Sequence, residues 1–205
     1  LDFNKLKELA PLTAAALENV PEDITLNSYI SVGMSHDNSN DLFYPTRGNA
    51  ESLVMELSSR FLGSQEEYLK VKADVKAYYR LVDDVVLAVR LTLGFINPFD
   101  AANDIPIFVR FFSGGSNSIR GYPFQLLGPL DPQQKPIGGT SLLESSLEVR
   151  FPIWKQLHGV VFADAGTLSQ GIFDYPIAEL KYSVGIGLRY QTLIGPIRLD
   201  VGYPL

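Results

Sequence analysis

Between Tyr68 and Leu81 the chain alternates apolar side chains with charged or tyrosine side chains for fourteen residues. Leu69, Val71, Ala73, Val75, Ala77, Tyr79 and Leu81 take one set of positions, and Lys70, Lys72, Asp74, Lys76, Tyr78 and Arg80 the other. Successive side chains of a strand point to opposite faces, so this run has one apolar face and one charged face. Asp83-Asp84 marks a turn. Beyond it Val85, Leu87, Val89, Leu91, Leu93 and Phe95 alternate with Val86, Ala88, Arg90, Thr92 and Gly94. The two runs predict a long antiparallel hairpin.

The same period of two recurs through the chain. Leu26, Ile30, Val32 and Met34 alternate with Asn27, Tyr29, Ser31 and Gly33, and Leu53, Met55, Leu57 and Phe61 with Val54, Glu56, Ser58 and Arg60. Leu143, Leu147, Val149, Phe151 and Ile153 oppose Glu144, Ser146, Glu148 and Arg150. Val184, Ile186, Leu188 and Tyr190 oppose Ser183, Gly185, Gly187, Arg189 and Gln191, and Ile197, Leu199, Val201 and Tyr203 oppose Arg198, Asp200 and Gly202. With strands expected over 107–112 and 159–165, the pattern predicts about nine strands and an all-β, antiparallel fold. Residues 1–23 differ. Leu6, Leu9, Ala10, Ala14 and Leu17 recur at helical spacing, Pro11 interrupts them and Pro21 closes the segment, which reads as a helical or loop element such as a plug.

Two architectures share this alternation, a soluble β-sandwich and a membrane β-barrel. Strand runs of ten to fourteen residues suit a tilted bilayer crossing better than the shorter strands of most soluble sheets. The polar face, rich in Gly and in charges of both signs, suits a watery lumen. No stretch of about 18 uncharged apolar residues occurs, so a transmembrane helix is not expected. A net charge of −6 argues against a nucleic-acid surface, and the absence of Cys excludes disulfides and thiolate metal sites.

Between Phe112 and Gly139 strand periodicity lapses. A loop of this length is commonly functional, although a solvated surface loop satisfies the same residues. Gly114-Gly115 admits backbone angles closed to other residues, and Arg120-Gly121-Tyr122 sets a permanently charged fork beside a hinge and an aromatic anchor.

Gly114-Gly115 followed by Ser118-Ile119-Arg120-Gly121-Tyr122 resembles the inward-folded loop signature of the BamA/TamA superfamily of outer-membrane assembly factors. Four further segments resemble the family in order: Asn40 to Gly48, ending Pro-Thr-Arg-Gly; Leu147 to Pro152; Phe162-Ala163-Asp164-Ala165-Gly166; and Gly185 to Tyr203. The resemblance spans Ile24 to Leu205. It implies a transmembrane barrel of roughly sixteen strands, of which this chain holds about nine at residues 24–205, with a lumen loop over about 113–140. The chain is then expected to be part of a longer protein. The resemblance also implies that Arg120 contacts acidic residues of the inner wall. Glu148 points inward by its own alternation; Asp164 shares a face with Val160 and Phe162, so its inward direction rests on the family.

Other chemistry is poorly supported. His36 and His158 lie on different elements with no converging triad or metal partners. Gly185-Ile186-Gly187-Leu188 has no helix after it, as a dinucleotide loop would require. Glu144 with Glu148 is simplest as part of a mixed-charge lumen. Asp37 to Asp41 lacks calcium-loop spacing and reads as a polar turn. Trp154, Phe151 and Tyr203 suit interfacial aromatic belts.

The expected function is therefore insertion of other β-barrel proteins into the bacterial outer membrane, without enzymatic activity, metal or cofactor. The expected partners are the lipid bilayer, client outer-membrane proteins, periplasmic repeat domains of the same full-length chain and accessory subunits, with no nucleic acid. The alternatives are a two-partner secretion transporter, a passive porin-like channel or a barrel enzyme. A barrel is expected to need detergent and to migrate faster on gels unheated than boiled; a soluble sandwich does neither.

Overall fold

The computed structural model describes residues 26–99, 105–192 and 195–205. The helical segment expected at 1–23 lies outside them. The described chain forms one antiparallel sheet of eight strands in sequence order: β1 (Tyr29–Asp37), β2 (Gly48–Ser58), β3 (Tyr68–Val82), β4 (Val85–Pro98), β5 (Ser141–Trp154), β6 (Leu157–Ser169), β7 (Lys181–Thr192) and β8 (Gly195–Pro204). Among the described residues each strand pairs with its sequence neighbours, from β1 at one side of the sheet to β8 at the other. It is a partial barrel, not a sandwich.

Residues 59–67, 99–140 and 170–180 link strands at one end, and residues 38–47 with the two-residue turns Asp83-Asp84 and Lys155-Gln156 at the other. Asp83 and Lys155 have φ of 45° and 46°, as tight strand-reversing turns require. Both two-residue turns thus lie at one end and the longest connection, 99–140, at the other, as tight turns and long loops do in outer-membrane barrels.

The alternation sorts as expected. Ile186, Leu199, Val201 and Tyr203 project outward and are 64–70% exposed, as are many other apolar residues on the same face. Together they make the apolar band that a bilayer covers. On that face the Phe151 ring lies over Gly159, its register partner, where a Cβ would collide with it. The opposite face is polar and lines the lumen.

Two expectations change. The segment 107–112 is not a ninth strand: it turns and makes a single isolated bridge, Phe111 to Gly139. Phe111 seats its ring over Gly94, whose missing side chain makes the space, and joins Tyr68, Ile96, Ile105, Val109, Leu142 and Leu168 in a small core at the long-loop end. Burial there favours a folded-over loop above another strand. The second strand stops at Ser58, and Arg60–Leu62 form a 3-10 turn capped by Ser59 that leaves Phe61 exposed.

The outward assignment predicts an asymmetry. Ile186→Arg should cost the full-length barrel about 2–4 kcal/mol in vesicles. Ser52→Arg, placed beside Asp74 on the lumen face, should be close to neutral. Denaturant titration in lipid measures both, and equal costs would contradict the assignment.

Candidate functional site

Strand register decides which lumen side chains meet. One lumen row across β4 to β7 runs Arg90, Ser146, Asp164, Ser183. The next runs Ala88, Glu148, Phe162, Gly185, Gly202, and the third Val86, Arg150, Val160, Gly187, Asp200. Carboxylates from β5, β6 and β8 thus surround a patch floored by glycines and by Phe162.

The loop between β4 and β5 folds onto this patch. Gly114, Gly115 and Gly121 have φ of 105°, 104° and 93°, values that other residues rarely adopt. They frame a compact turn in which Gly115 N–H donates to the Tyr122 carbonyl (3.1 Å) and Ser118 N–H to the Gly115 carbonyl (3.1 Å). Ser118 Oγ accepts from Gly114 N–H (2.9 Å) and donates to Glu144 on the wall. Ser113 Oγ also donates to Glu144 Oε1 (2.6 Å). Ile119 is buried against Gly166.

These contacts carry Arg120 to the wall. Its Nε donates to Asp164 Oδ2 (2.8 Å), Nη2 to Asp164 Oδ1 (2.7 Å), and its backbone N–H again to Oδ2 (3.0 Å). Nη1 donates to Glu148 Oε1 (2.5 Å), and Nη2 to Ser146 Oγ (2.9 Å). The guanidinium lies 3.5 Å from the centre of the Phe162 ring, a cation–π contact. Both Arg120 and Asp164 are nearly fully buried. A two-toothed pairing of this kind is stronger than a neutral hydrogen bond and depends on the planar fork that Lys lacks.

Of the residues singled out from the sequence, the structure brings Arg120, Glu148 and Asp164 together. Gly114, Gly115 and Gly121 stand at the bends. Tyr122 reaches β7, donating from its hydroxyl to the Tyr182 carbonyl (3.3 Å). Asp164 does point inward, because Val160 and Phe162 are lumen residues as well, buried beneath the loop.

Several partners were not singled out. Arg150 donates to Glu148 (2.9 Å), and Arg189 forms a forked pair with Asp200 and stands 3.7 Å from Glu148. Three arginines, 120, 150 and 189, thereby face three carboxylates, 148, 164 and 200, and their charges cancel. Alternation placed Arg150, Arg189 and Asp200 on the polar face, but only the register brings them to one point. A second cluster joins Arg90 to Asp74 (3.0 Å), with Thr92 donating to the same carboxylate (2.6 Å) and Arg90 Nη1 to the Asn117 carbonyl of the loop (2.7 Å).

The Asn40–Gly48 turn also reaches inward. Asn40 Oδ1 accepts from the N–H groups of Thr46 (2.9 Å) and Arg47 (2.8 Å), and Asp41 Oδ1 from those of Phe43 (2.8 Å) and Tyr44 (2.7 Å). So fixed, the turn packs the Tyr44 ring 4.6 Å from that of His158, and burial raises the Tyr44 hydroxyl above its ordinary pKa. Among the described residues no group of His, Asp and Glu is arranged to hold a metal ion.

An open antiparallel sheet with an apolar outer band, and a loop seated by an arginine on carboxylates of the inner wall, defines an outer-membrane type β-barrel with an inward-folded loop. The chain belongs to the Omp85 superfamily, whose domain model matches residues 7–205. It is 29% identical over 204 residues to the outer membrane protein assembly factor BamA of Nitratidesulfovibrio vulgaris, covering 94% of this chain and 25% of that protein. It is 26% identical over 196 residues to a SAM50-like protein of Schizosaccharomyces pombe, covering 88% of this chain and 41% of that protein. The crystal structure of BamA from Haemophilus ducreyi lacking POTRA domains 1–3 superposes with a TM-score of 0.75 at 25% identity, covering 86% of this chain and 38% of that one. The chain spans less than half of each of these proteins.

Arg120→Ala leaves the buried Asp164 carboxylate without its cation, although Glu148 keeps Arg150, and should destabilise the barrel by about 3–5 kcal/mol. Arg120→Lys keeps the charge but loses the fork, and should recover a minority of that loss. Urea midpoints of the full-length protein in vesicles measure both; a Lys variant as stable as wild type would argue against the forked contact.

Proposed function

We propose that this chain is the barrel portion of a factor that inserts other β-barrel proteins into the bacterial outer membrane. The observation that carries the reading is the seating of Arg120, at the tip of an inward-folded loop, on Asp164 and Glu148. The loop fills lumen space that a passive channel would leave open. In this reading residues 24–205 are the partial barrel and 113–140 its lumen loop. Arg120, Gly121 and Tyr122 with Glu148 and Asp164 hold the loop down, while Gly114 and Gly115 are its hinge.

The chemistry is non-covalent and needs no cofactor. A sheet edge offers a row of unpaired backbone N–H and C=O groups, and an incoming strand pairs with them by β-augmentation. Backbone pairing is largely indifferent to side-chain identity, so one edge serves many clients. The loop's task is to keep the wall in the geometry that presents such an edge. The bilayer, unfolded client barrels, periplasmic repeat domains of the full-length chain and accessory subunits are the partners this mechanism calls for.

The test is insertion of an unfolded outer-membrane client into vesicles carrying the full-length protein, followed by protease protection. Wild type is expected to accelerate insertion over empty vesicles, and Arg120→Ala to lose most of the acceleration. Acceleration undiminished in Arg120→Ala would refute the holding role. No acceleration by wild type would refute the assembly reading.

A further inference from the structure

We infer that Gly202 and Asp200 of β8 are positioning residues through which the lumen loop sets the place of this strand. The inference rests on the assembly reading and names the part of the wall through which the loop acts.

The contact at Gly202 is backbone on backbone. A Cβ there would stand 2.7 Å from Gly121 N and 2.9 Å from Arg120 C. In return, a Cβ on Gly121 would stand 3.1 Å from Gly202 C and 3.2 Å from Pro204 N. No flexible side chain lies between them to yield, so loop and strand must move together or separate. Asp200, two residues earlier on the same face, lies over Gly187, its register partner, where a Cβ would collide with the carboxylate. From there Oδ2 lies 3.0 Å from Arg189 Nη2 and 3.7 Å from Arg120 Nη1.

Contacts continue along the strand. Arg198 Nη2 donates to Asn117 Oδ1 of the loop (3.1 Å). At the other end the Tyr182 carbonyl accepts from both the Tyr122 hydroxyl (3.3 Å) and Leu205 N–H (2.9 Å). Successive lumen positions of β8, 198, 200 and 202, therefore each meet the loop. Its outward residues Ile197, Leu199, Val201 and Tyr203 are mostly exposed. Among the described residues β8 pairs with one strand, β7. Pairing with β7 and the loop beneath it both hold its place. A shift of the loop tip passes directly to β8.

The experiment uses the full-length protein in vesicles with an unfolded barrel client and compares Gly202→Ala with Val201→Ala, an equally conservative change on the outer face. Both are expected to keep heat-modifiable migration. Gly202→Ala should slow client insertion about tenfold relative to Val201→Ala, and should lengthen or broaden the distance between spin labels at positions 116 and 199. Wild-type insertion with an unchanged label distance overturns the inference. If Gly202→Ala does not fold, Asp200→Asn and Asp200→Glu decide: slowed insertion in Asn, recovered in Glu, supports the inference, and a wild-type rate in Asn overturns it. A wild-type protein that does not accelerate insertion refutes the assembly reading instead. The label distance then tests the positioning claim alone.

Discussion

A guanidinium taken out of water needs its charge answered on the spot, and Arg120 is answered by Asp164 and Glu148 through hydrogen bonds of 2.5–2.8 Å. Desolvation of all three groups works against the arrangement, and mutual attraction with full hydrogen bonding must offset it. The wall meets that demand twice over. Ser146 donates to the Asp164 carboxylate (2.6 Å), and Arg150 and Arg189 share the remaining negative charge of Glu148 and Asp200. The result is a neutral cluster in which removing any member leaves another uncompensated. Loop, β5, β6, β7 and β8 are tied together through it.

Such a cluster requires strands in register to within one residue. A slip of one would turn Glu148 or Asp164 toward the bilayer, so the outer apolar band and the inner ion cluster specify the same pairing. This agreement explains how a sheet with water-facing charges and lipid-facing leucines keeps a single arrangement. The lumen loop adds a further check, because its small core around Phe111 and Leu168 fits the glycines at 94, 128 and 139.

Much of this was legible in the residues. The β3–β4 hairpin follows from strict alternation in Tyr68 to Phe95, and the inward direction of Glu148 from its place among Leu147, Val149 and Phe151. Segment 107–112 misleads because its apolar residues serve a core beneath a loop, and a burial signal does not say which element supplies it. Asp164 was opaque for a related reason: Val160 and Phe162 point into the lumen because the loop covers them, which makes a wet face look apolar in sequence. Arg189 and Asp200 were visible as polar-face residues, but their meeting depends on an offset of two residues between β7 and β8 that no single strand carries.

The glycines at 185, 187 and 202 form a lane of bare backbone along the lumen side of β7 and β8. Seen from the interior, this lane is a mould: its depth matches the Phe162 ring, the Asp200 carboxylate and the Gly121 backbone in turn. One methyl group anywhere along it would raise the floor under a part that has no room to rise. The sheet is therefore thinnest where it carries the most, and the shape of the loop is recorded in this stretch of wall by the side chains left out.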